Sequence, residues 1–365
     1  MKVMQRRALA AIALTFGTAA APLALDAQTR TVNPNAPRLL VVVFSSNNRP
    51  AGVEVADAVR SRILSAVNAR NLTVIAKEQI VSYLESSGYK PDSALGLTDL
   101  EALAKLLRAD EVIGGHVTVT GENMRIEPRF MLARDVNIAQ PLPVVEDDSR
   151  SRAARTIEDA YQDAHEQLED NQACENAIRD SQFDKAIAHA RAAIAEYPQA
   201  TIARLCLASA YQARMQGQQG AAVMASADSL LMVTQEVRRL DPKSTLALRI
   251  AYAGYQAKND AENSIRTLLA LLDLQPNDPT LQNQVVTALA QLGKPAVALP
   301  IVDTLLLRNP ADPTLLRQRW LLTLAAAAND TVPASRSQMF ERAIAAGQAM
   351  VGGGTAQGDS AFFGR

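Results

Sequence analysis

The spacing of apolar residues changes along this chain, and the change divides it into two regions. From residue 38 to about residue 145, short apolar runs alternate with stretches of helical period. The run LLVVVF, residues 39–44, is apolar throughout and rich in β-branched residues, which is typical of a strand buried on both faces. A second run, LTVIA at residues 72–76, has the same character. Between them, residues 55–67 carry Val or Ile at every fourth position, so these side chains share one face of a helix.

Two more helices and a hairpin are predicted in this region. EQIVSYLESSGY predicts the second helix and TDLEALAKLL the third, in which Thr98 and Glu101 have the spacing of a capping box. Beyond residue 110 the period becomes two, and EVIGGHVTVT and MRIEPRFML flank GEN, residues 121–123, a three-residue hairpin signal. One face of the second strand is apolar, at Met124, Ile126, Phe130 and Leu132. Pro128 cannot donate a hydrogen bond and predicts an edge strand or a bulge. We expect a small α/β domain with two or three covering helices.

From residue 150 to about residue 350 the strand signals disappear, and Leu, Ala and Gln recur at helical spacing. LLDLQPNDPTL and LLLRNPADPTL begin 34 residues apart, at Leu271 and Leu305, and are identical at seven of eleven positions. Prolines that end predicted helices recur at intervals of 44, 34 and 34 residues, at Pro198, Pro242, Pro276 and Pro310. QGQQGAAVMA, interpreted as an insertion between two helices, accounts for the longer first interval. Stacked pairs of antiparallel helices explain this pattern, because each pair needs a neighbour to bury its apolar face.

A 34-residue interval with a proline after the second helix resembles the tetratricopeptide repeat. Leu207, Ala208 and Tyr211 match the residues that this family prefers within one unit. The resemblance covers about residues 167–350 and implies an all-α superhelical solenoid of four to five helix pairs, with a concave face lined by the first helix of each pair. The fifth unit departs from the family, with Trp320 at a small position and a longer stretch, ANDTVPASRS, between its helices. An irregular bundle rich in Ala and Leu is the alternative.

The segment from SGYKPDS to EPRFML resembles the N-terminal α/β domain of TolB and of related envelope proteins such as FlgO and CsgG. Asp110, Gly114, Gly115 and Gly121 hold the positions of that family's D-x-hydrophobic-G strand and hairpin. The resemblance covers about residues 38–148. It implies an exported protein that works by contact in the bacterial cell envelope, and it identifies no ligand.

The first residues have the pattern of a secretory signal peptide. Lys2, Arg6 and Arg7 precede a short apolar core, ALAAIALTF, and LDA before Gln28 provides a cleavage site, so residues 1–27 are predicted to be removed. The core is too short to span a bilayer, and a permanent N-terminal anchor is the alternative. No cysteine lies near the cleavage site, which argues against a lipid anchor, and no later run reaches the ~18 apolar residues of a membrane span. We expect an exported protein of the periplasm, with secretion or association with the envelope left open.

Charge and cysteine content narrow the choice of partners. The formal net charge is −1 at neutral pH, and no basic stripe is interleaved with aromatic residues, so nucleic acid is not an expected partner. The two cysteines, Cys174 and Cys206, fall on the first helices of successive predicted units. A disulfide and two buried thiols both remain open, since an exported chain can keep a disulfide. No second pair of cysteines supplies the ligands of a zinc site.

The sequence contains no recognisable catalytic or metal-binding motif. The three histidines are His116, His165 and His189, and none of them has neighbours at the spacing of a metal-ligand motif. LGKP is not a phosphate-binding loop, and Asp147-Asp148 is expected to be a solvated junction between domains. Neither a cofactor nor an enzymatic activity is predicted. The alternative is a small-ligand sensor or enzyme in the first domain, anchored by Asn47 and Arg49 in the loop SSNNRP that begins at Ser45.

These patterns predict the following organisation: a signal peptide at 1–27, a linker at 28–37, the TolB-like α/β domain at 38–148, a connecting helix at 149–166, the repeat solenoid at 167–350 and a flexible tail or partial cap at 351–365. The expected function is a non-catalytic adaptor or scaffold that binds another envelope protein or peptide on the concave face. The polar residues expected to contact that partner are Glu175, Gln212, Arg249, Gln256, Asn283, Thr287 and Arg317.

Overall fold

The computed structural model describes residue 33 and residues 36–68 and 70–352. The predicted signal peptide, most of the predicted linker and the tail beyond residue 352 lie outside these residues. Within them, the first part of the chain forms a mixed α/β sheet region, and the remainder forms consecutive helices.

The sheet of the first part has seven strands among the described residues. They are β1 (Arg38–Val41), β2 (Ser45–Ser46), β3 (Thr73–Val74), β4 (Glu111–Thr120), β5 (Asn123–Leu132), β6 (Asp135–Pro141) and β7 (Val145–Asp147). The order along the sheet is β3-β1-β4-β5-β6, with β2 also paired to β4 and β7 to β5. β1 runs parallel to β3 and β4, whereas β4, β5 and β6 are antiparallel. The long β4–β5 hairpin is therefore the centre of the sheet.

Helices cover both faces of this sheet, and they are α1 (Arg49–Ala66), α2 (Lys77–Ser86), α3 (Leu97–Leu106) and α4 (Arg150–His165). α1 and α4 pack together on one face, where the apolar side of β5 is buried as predicted, with Ile126 and Phe130 at 0% exposure. α2 and α3 cover the opposite face over Leu40 and Val112. α4, predicted as a connecting helix, packs into the core of the sheet region through Tyr161 and other apolar side chains.

The predicted capping box of α3 does not form. The helix begins at Leu97, one residue before Thr98, and Gly96 precedes it without a side-chain hydrogen bond to the helix end. Thr98 is therefore already inside the first turn, and the expected bond between its hydroxyl and the N–H of Glu101 is not made.

The hairpin loop and the position of Pro128 also differ from the prediction. The loop has two residues rather than three, because Thr120 pairs with Asn123 and Gly121 adopts a φ of +63°. Pro128 lies in neither an edge strand nor a bulge, but in an internal strand, opposite the break between β6 and β7. There the N–H of Leu142 donates to the Pro128 carbonyl at 3.0 Å. Because the partner strands are interrupted at this point, the ladder does not need the N–H group that proline lacks.

Ten consecutive helices follow within the described residues. They are α5 (Leu168–Arg179), α6 (Phe183–Glu196), α7 (Thr201–Met215), α8 (Ala221–Leu240), α9 (Thr245–Ala257), α10 (Ala261–Leu274), α11 (Pro279–Gln291), α12 (Pro295–Arg308), α13 (Pro313–Asn329) and α14 (Pro333–Gly352). Each helix contacts the next along the chain, which is consistent with a helical solenoid. We refer to the odd-numbered members of these five pairs as first helices and to the even-numbered members as second helices. None of the described helices combines the length and apolar character that a membrane crossing requires.

The repeated sequence marks the junctions between pairs. Each of the four regularly spaced prolines lies two residues beyond the end of a second helix. At the third junction Asp278 accepts hydrogen bonds from the backbone N–H groups of Thr280 and Leu281, at 2.9 and 3.1 Å. Asp312 does the same at the fourth junction, and in both cases a proline is the first residue of the new helix. The motif therefore ends one helix and begins the next.

Both segments predicted to be irregular are largely helical. QGQQGAAVMA forms a turn only as far as Gly220 and then the start of α8, which has 20 residues where α6 and α10 have 14. ANDTVPASRS contains only the short turn 330–332, because α13 continues to Asn329. Trp320 stands where the tetratricopeptide family prefers a small residue, and it packs beside Gly347 of α14. A Cβ added to Gly347 would lie 3.1 Å from the indole nitrogen of Trp320. A glycine on the partner helix thus makes room for the tryptophan.

Candidate functional site

The sheet and the helical stack meet at the N-terminal ends of α7 and α9, both of which contact β6. α7 begins after Ala200, which has no side chain that could satisfy the free N–H groups of the first turn. Gln140 of β6 supplies the missing acceptor, since its Oε1 accepts from Thr201 N–H at 2.6 Å. Its Nε2 donates to the Gln199 carbonyl at 3.0 Å. Gln140 is 1% exposed, so these bonds are shielded from water.

A second buried glutamine completes this junction. Gln167, between α4 and α5, donates from Nε2 to Gln140 Oε1 at 3.2 Å and to the Ala164 carbonyl at 2.8 Å. Its Oε1 accepts from Ala203 N–H at 3.2 Å. The two side-chain amides together provide acceptors for the first turn of α7, and they attach that helix to the sheet.

A salt bridge fixes the sheet to the next unit. Arg129 of β5 donates two hydrogen bonds to Asp241, in the turn before α9, at 2.9 and 2.6 Å. The Asp241 side chain is 3% exposed. Beside it, Thr245 Oγ1 donates to Asn137 Oδ1 at 3.1 Å. Charge-assisted, two-point pairing of this kind fixes orientation as well as distance.

The junction occupies part of the predicted partner-binding face. Glu175 of α5 forms a salt bridge with Arg134 of the sheet region and accepts a hydrogen bond from Asn171 Nδ2 at 2.9 Å. On α7, Ile202 belongs to the buried core beneath the sheet, and Gln212 is half-buried. The first two units therefore have little of this face available to a partner.

The other candidate residues are exposed on three later first helices, and we name them the first-helix face: Arg249 and Gln256 on α9, Asn283 and Thr287 on α11, and Arg317 on α13. Arg249, Asn283 and Arg317 follow one another at intervals of 34 residues, so they occupy equivalent places in three successive units. Arg249 reaches towards the following unit, where it donates to Gln275 Oε1 at 3.0 Å and lies 3.9 Å from Asp278.

The two cysteines form a disulfide between the first helices α5 and α7. Their Cα atoms are 6.5 Å apart, within the range that this bond requires. Cys174 is 0% exposed and Cys206 is 5% exposed, and both pack among the apolar side chains of the first two pairs. The first two helix pairs are therefore joined covalently as well as by packing.

A buried carboxylate connects β4 with α4. Glu111 is 3% exposed, and its Oε2 accepts a hydrogen bond from the Tyr161 hydroxyl at 2.5 Å. Its Oε1 lies 3.0 Å from His165 Nε2. Burial, reinforced by the Glu111 charge, raises the pKa of Tyr161, which therefore stays protonated as a donor. The hydrogen bond with Glu111 raises the pKa of His165, against the opposing effect of burial.

The raised pKa of His165 predicts that the protein loses some stability as the pH rises. The contribution of protonated His165 to the free energy of unfolding is complete below about pH 6.5, the ordinary pKa of histidine. It is lost as the pH rises through the pKa of His165 in the folded state. Because the side chain is 40% exposed, the loss should be below about 1 kcal/mol. Urea denaturation at about pH 6 and about pH 8 measures it, and His165→Gln should reduce the difference between the two pH values. An unchanged difference in the variant would exclude this linkage.

The loop SSNNRP uses its side chains within the fold. Asn47 donates to the Val119 carbonyl at 3.1 Å and accepts from the Val119 N–H at 2.9 Å. Asn48 caps α1, and Arg49 forms a 2.5 Å ion pair with Asp92. Asn47 and Arg49, which the alternative of a small-ligand site requires as its anchor, are therefore engaged in holding the loop.

The remaining candidate groups are also engaged in local contacts. His189 lies 2.8 Å from Asp170, and His116 Nδ1 lies 2.8 Å from Ser45 Oγ. Ser45 Oγ also lies within hydrogen-bond distance of the Gly115 carbonyl, at 3.1 Å, which gives the hydroxyl proton an acceptor other than the imidazole ring. Among residues 36–68 and 70–352, no group of three His, Cys, Asp or Glu side chains is arranged to hold a metal ion.

Asp147 and Asp148 lie where β7 leads into α4, and they help to begin that helix. Asp147 accepts a hydrogen bond from Ser149 N–H at 2.7 Å and binds Arg152, and these contacts lower its pKa. Arg152 also binds Asp148. The lowered pKa of Asp147 is the opposite of what a general acid needs, since such an acid must stay protonated.

Comparison with known proteins identifies no family for this chain. No family model matches it, and no curated protein matches it. Among solved structures, the C-terminal domain of LpoB from Salmonella enterica is similar at 15% sequence identity, with a TM-score of 0.23. The match covers 33% of this chain and 86% of the LpoB domain. A likeness of this size carries no argument about fold or function.

Proposed function

We propose that this protein is a non-catalytic adaptor that binds a segment of another protein on the first-helix face. The observation that carries the proposal is the recurrence of exposed polar side chains, Arg249, Asn283 and Arg317, at one place in three successive units. A tetratricopeptide-like pairing of the helices supports it, because stacked rigid pairs present such a face with little further ordering.

The junction with the sheet limits the extent of this proposed site. Since Arg134 holds Glu175 on α5, and β6 covers the start of α7, the partner is assigned to α9, α11 and α13. Two of the five residues of the first-helix face are basic and none is acidic. We therefore expect an extended or helical partner segment that carries acidic side chains, which arginine binds in two-point fashion.

The bacterial cell envelope is the proposed location. The leader pattern at residues 1–27 and the resemblance of residues 38–148 to the TolB N-terminal domain support it. The alternative, a sensor or enzyme anchored by the loop from Ser45 to Arg49, gains no support, because Asn47 and Arg49 are hydrogen-bonded within the fold.

Site-specific photocrosslinking in intact envelopes tests this proposal. A photoreactive amino acid at Asn283 should capture a partner, and the combined changes Arg249→Glu and Arg317→Glu should reduce that crosslink about tenfold, because they repel an acidic segment. All three residues are exposed, so these changes should leave the circular dichroism spectrum unaltered.

Leu307 provides the matched control position. It is 83% exposed but lies on the second helix α12, away from the proposed site. A photoreactive residue there should not give the product seen from Asn283. Equal capture from both positions, or a product that persists after both charge reversals, would contradict the assignment of the partner to the first-helix face.

A further inference from the structure

An apolar cavity of about 690 Å³ opens between the sheet and the turn that leads into α9. Its walls are apolar side chains from both parts of the molecule: Leu95, Leu100, Met131, Val136, Leu240 and Pro242. Volumes of about 300–1,000 Å³ with mainly apolar walls and a few polar groups are typical of small-molecule sites. The residues of the first-helix face lie outside this cavity, and of the loop at residues 45–49 only Ser45 lines it.

The exposure of two wall residues shows that this space is not simply part of the core. Leu97 and Val144 line it, yet they remain 51% and 47% exposed. On the sheet, Gly114 also lines it, and an added Cβ there would lie 2.9 Å from Val42 Cγ2 and 3.6 Å from Met131 Cε. The glycine therefore lets Val42 and Met131 pack closely against β4 in this wall. Apolar surface directed into an open cavity is stabilised when a ligand removes it from water.

Charged residues gather at the rim of the cavity, and they are Arg125, Arg129, Lys243, Glu127 and Asp241. Arg129 is held by Asp241, and Arg125 forms a 2.6 Å ion pair with Glu146, which lies outside the lining. Lys243 differs from both arginines. Its side chain is 72% exposed, and its Nζ lies 3.7 Å from Glu127, beyond hydrogen-bond distance. Glu127 also lies 3.4 Å from Arg125, which is the nearer of its two basic neighbours.

We propose that this cavity binds a small amphiphile with a single carboxylate, such as a medium-chain fatty acid. The apolar body lies against Met131, Val136 and Leu100, and the carboxylate accepts hydrogen bonds from Lys243 Nζ. Such a ligand complements both the apolar walls and Lys243, the most exposed of the three bases at the rim. It touches the sheet and the α8–α9 turn at once, so its binding couples to the contact between the two parts of the protein.

Calorimetric titration of the full chain tests this inference with three probes of equal chain length, below their micelle-forming concentrations. Dodecanoate should bind, dodecanol should bind more weakly, and dodecyltrimethylammonium should bind least. Lys243→Met should weaken dodecanoate about fivefold and leave dodecanol unchanged, because only the carboxylate uses the ammonium group. Binding of the cationic probe as tight as that of dodecanoate would overturn the assignment of the head group.

A second variant tests the site itself. Leu97→Glu places a charge at the mouth of the cavity, and an acidic residue in the first turn of α3 is compatible with that helix. Binding of dodecanoate and dodecanol should both fall about tenfold or more. Leu64→Glu is the matched control, since Leu64 is 48% exposed on α1 and does not line the cavity. Equal loss in both variants, or no binding of dodecanoate to the unaltered protein, would overturn the proposal.

Discussion

Changing Gln140 to leucine should lower the free energy of unfolding by about 4 kcal/mol, because it removes four hydrogen bonds from a buried site without changing its volume much. Thr201 N–H loses its acceptor, the Gln199 and Pro141 carbonyls each lose a donor, and Gln167 Nε2 loses one of its two acceptors. An unpaired polar group in such a place costs about 1–3 kcal/mol. Urea denaturation followed by circular dichroism measures the effect.

Gln182→Leu is the control for this change. Gln182 is exposed before α6 and makes no side-chain hydrogen bond to the end of that helix. Its replacement should change the free energy of unfolding by less than about 0.5 kcal/mol. If the two leucine variants have the same stability, the buried amide does not hold α7 to the sheet.

Removing the disulfide, by changing both Cys174 and Cys206 to alanine, should lower the free energy of unfolding by about 3–4 kcal/mol. The bond closes a loop between residues 32 apart in sequence, and it restricts the unfolded chain accordingly. Alanine is preferred to serine because both positions are buried and a hydroxyl there would need a partner. Guanidinium denaturation of the unaltered protein, with and without a thiol reductant, should show the same loss.

The double alanine variant should in addition be insensitive to the reductant, since it has no cysteine left to reduce. A reductant-dependent shift of its denaturation midpoint would show that the agent acts elsewhere. An unaltered protein whose stability does not change on reduction would contradict the expected contribution of the bond.

Local spacing was sufficient to predict much of the fold. The apolar face of β5, which includes Ile126 and Phe130, could be predicted because alternation of burial in a strand depends only on neighbours in sequence. The helix ends before Pro276 and Pro310 could be predicted because proline acts on the backbone within a few residues. The position of Pro128 could not, since it depends on where two other strands stop.

The junction between sheet and helices was not predictable in this way. Gln140 and Thr201 are 61 residues apart, and nothing in the sequence around either residue indicates that one completes the helix end of the other. The positions expected to contact a partner are the same in every repeat unit, so Glu175 and Arg249 were both predicted as partner-binding residues. The fold distinguishes them, because Glu175 lies against the sheet through Arg134 and Arg249 is exposed beyond it.

The attachment of the sheet to α7 and α9 also determines where the chain tolerates a change in the number of its helix pairs. Deleting or duplicating a pair within α5–α10 would separate Gln140, Arg129 or the cysteines from their partners. The pairs α11–α12 and α13–α14 are stacked by contacts between successive helices. Insertion or loss of helix pairs is therefore expected to be tolerated beyond α10. Homologous proteins should differ in the number of helix pairs in that part of the chain first.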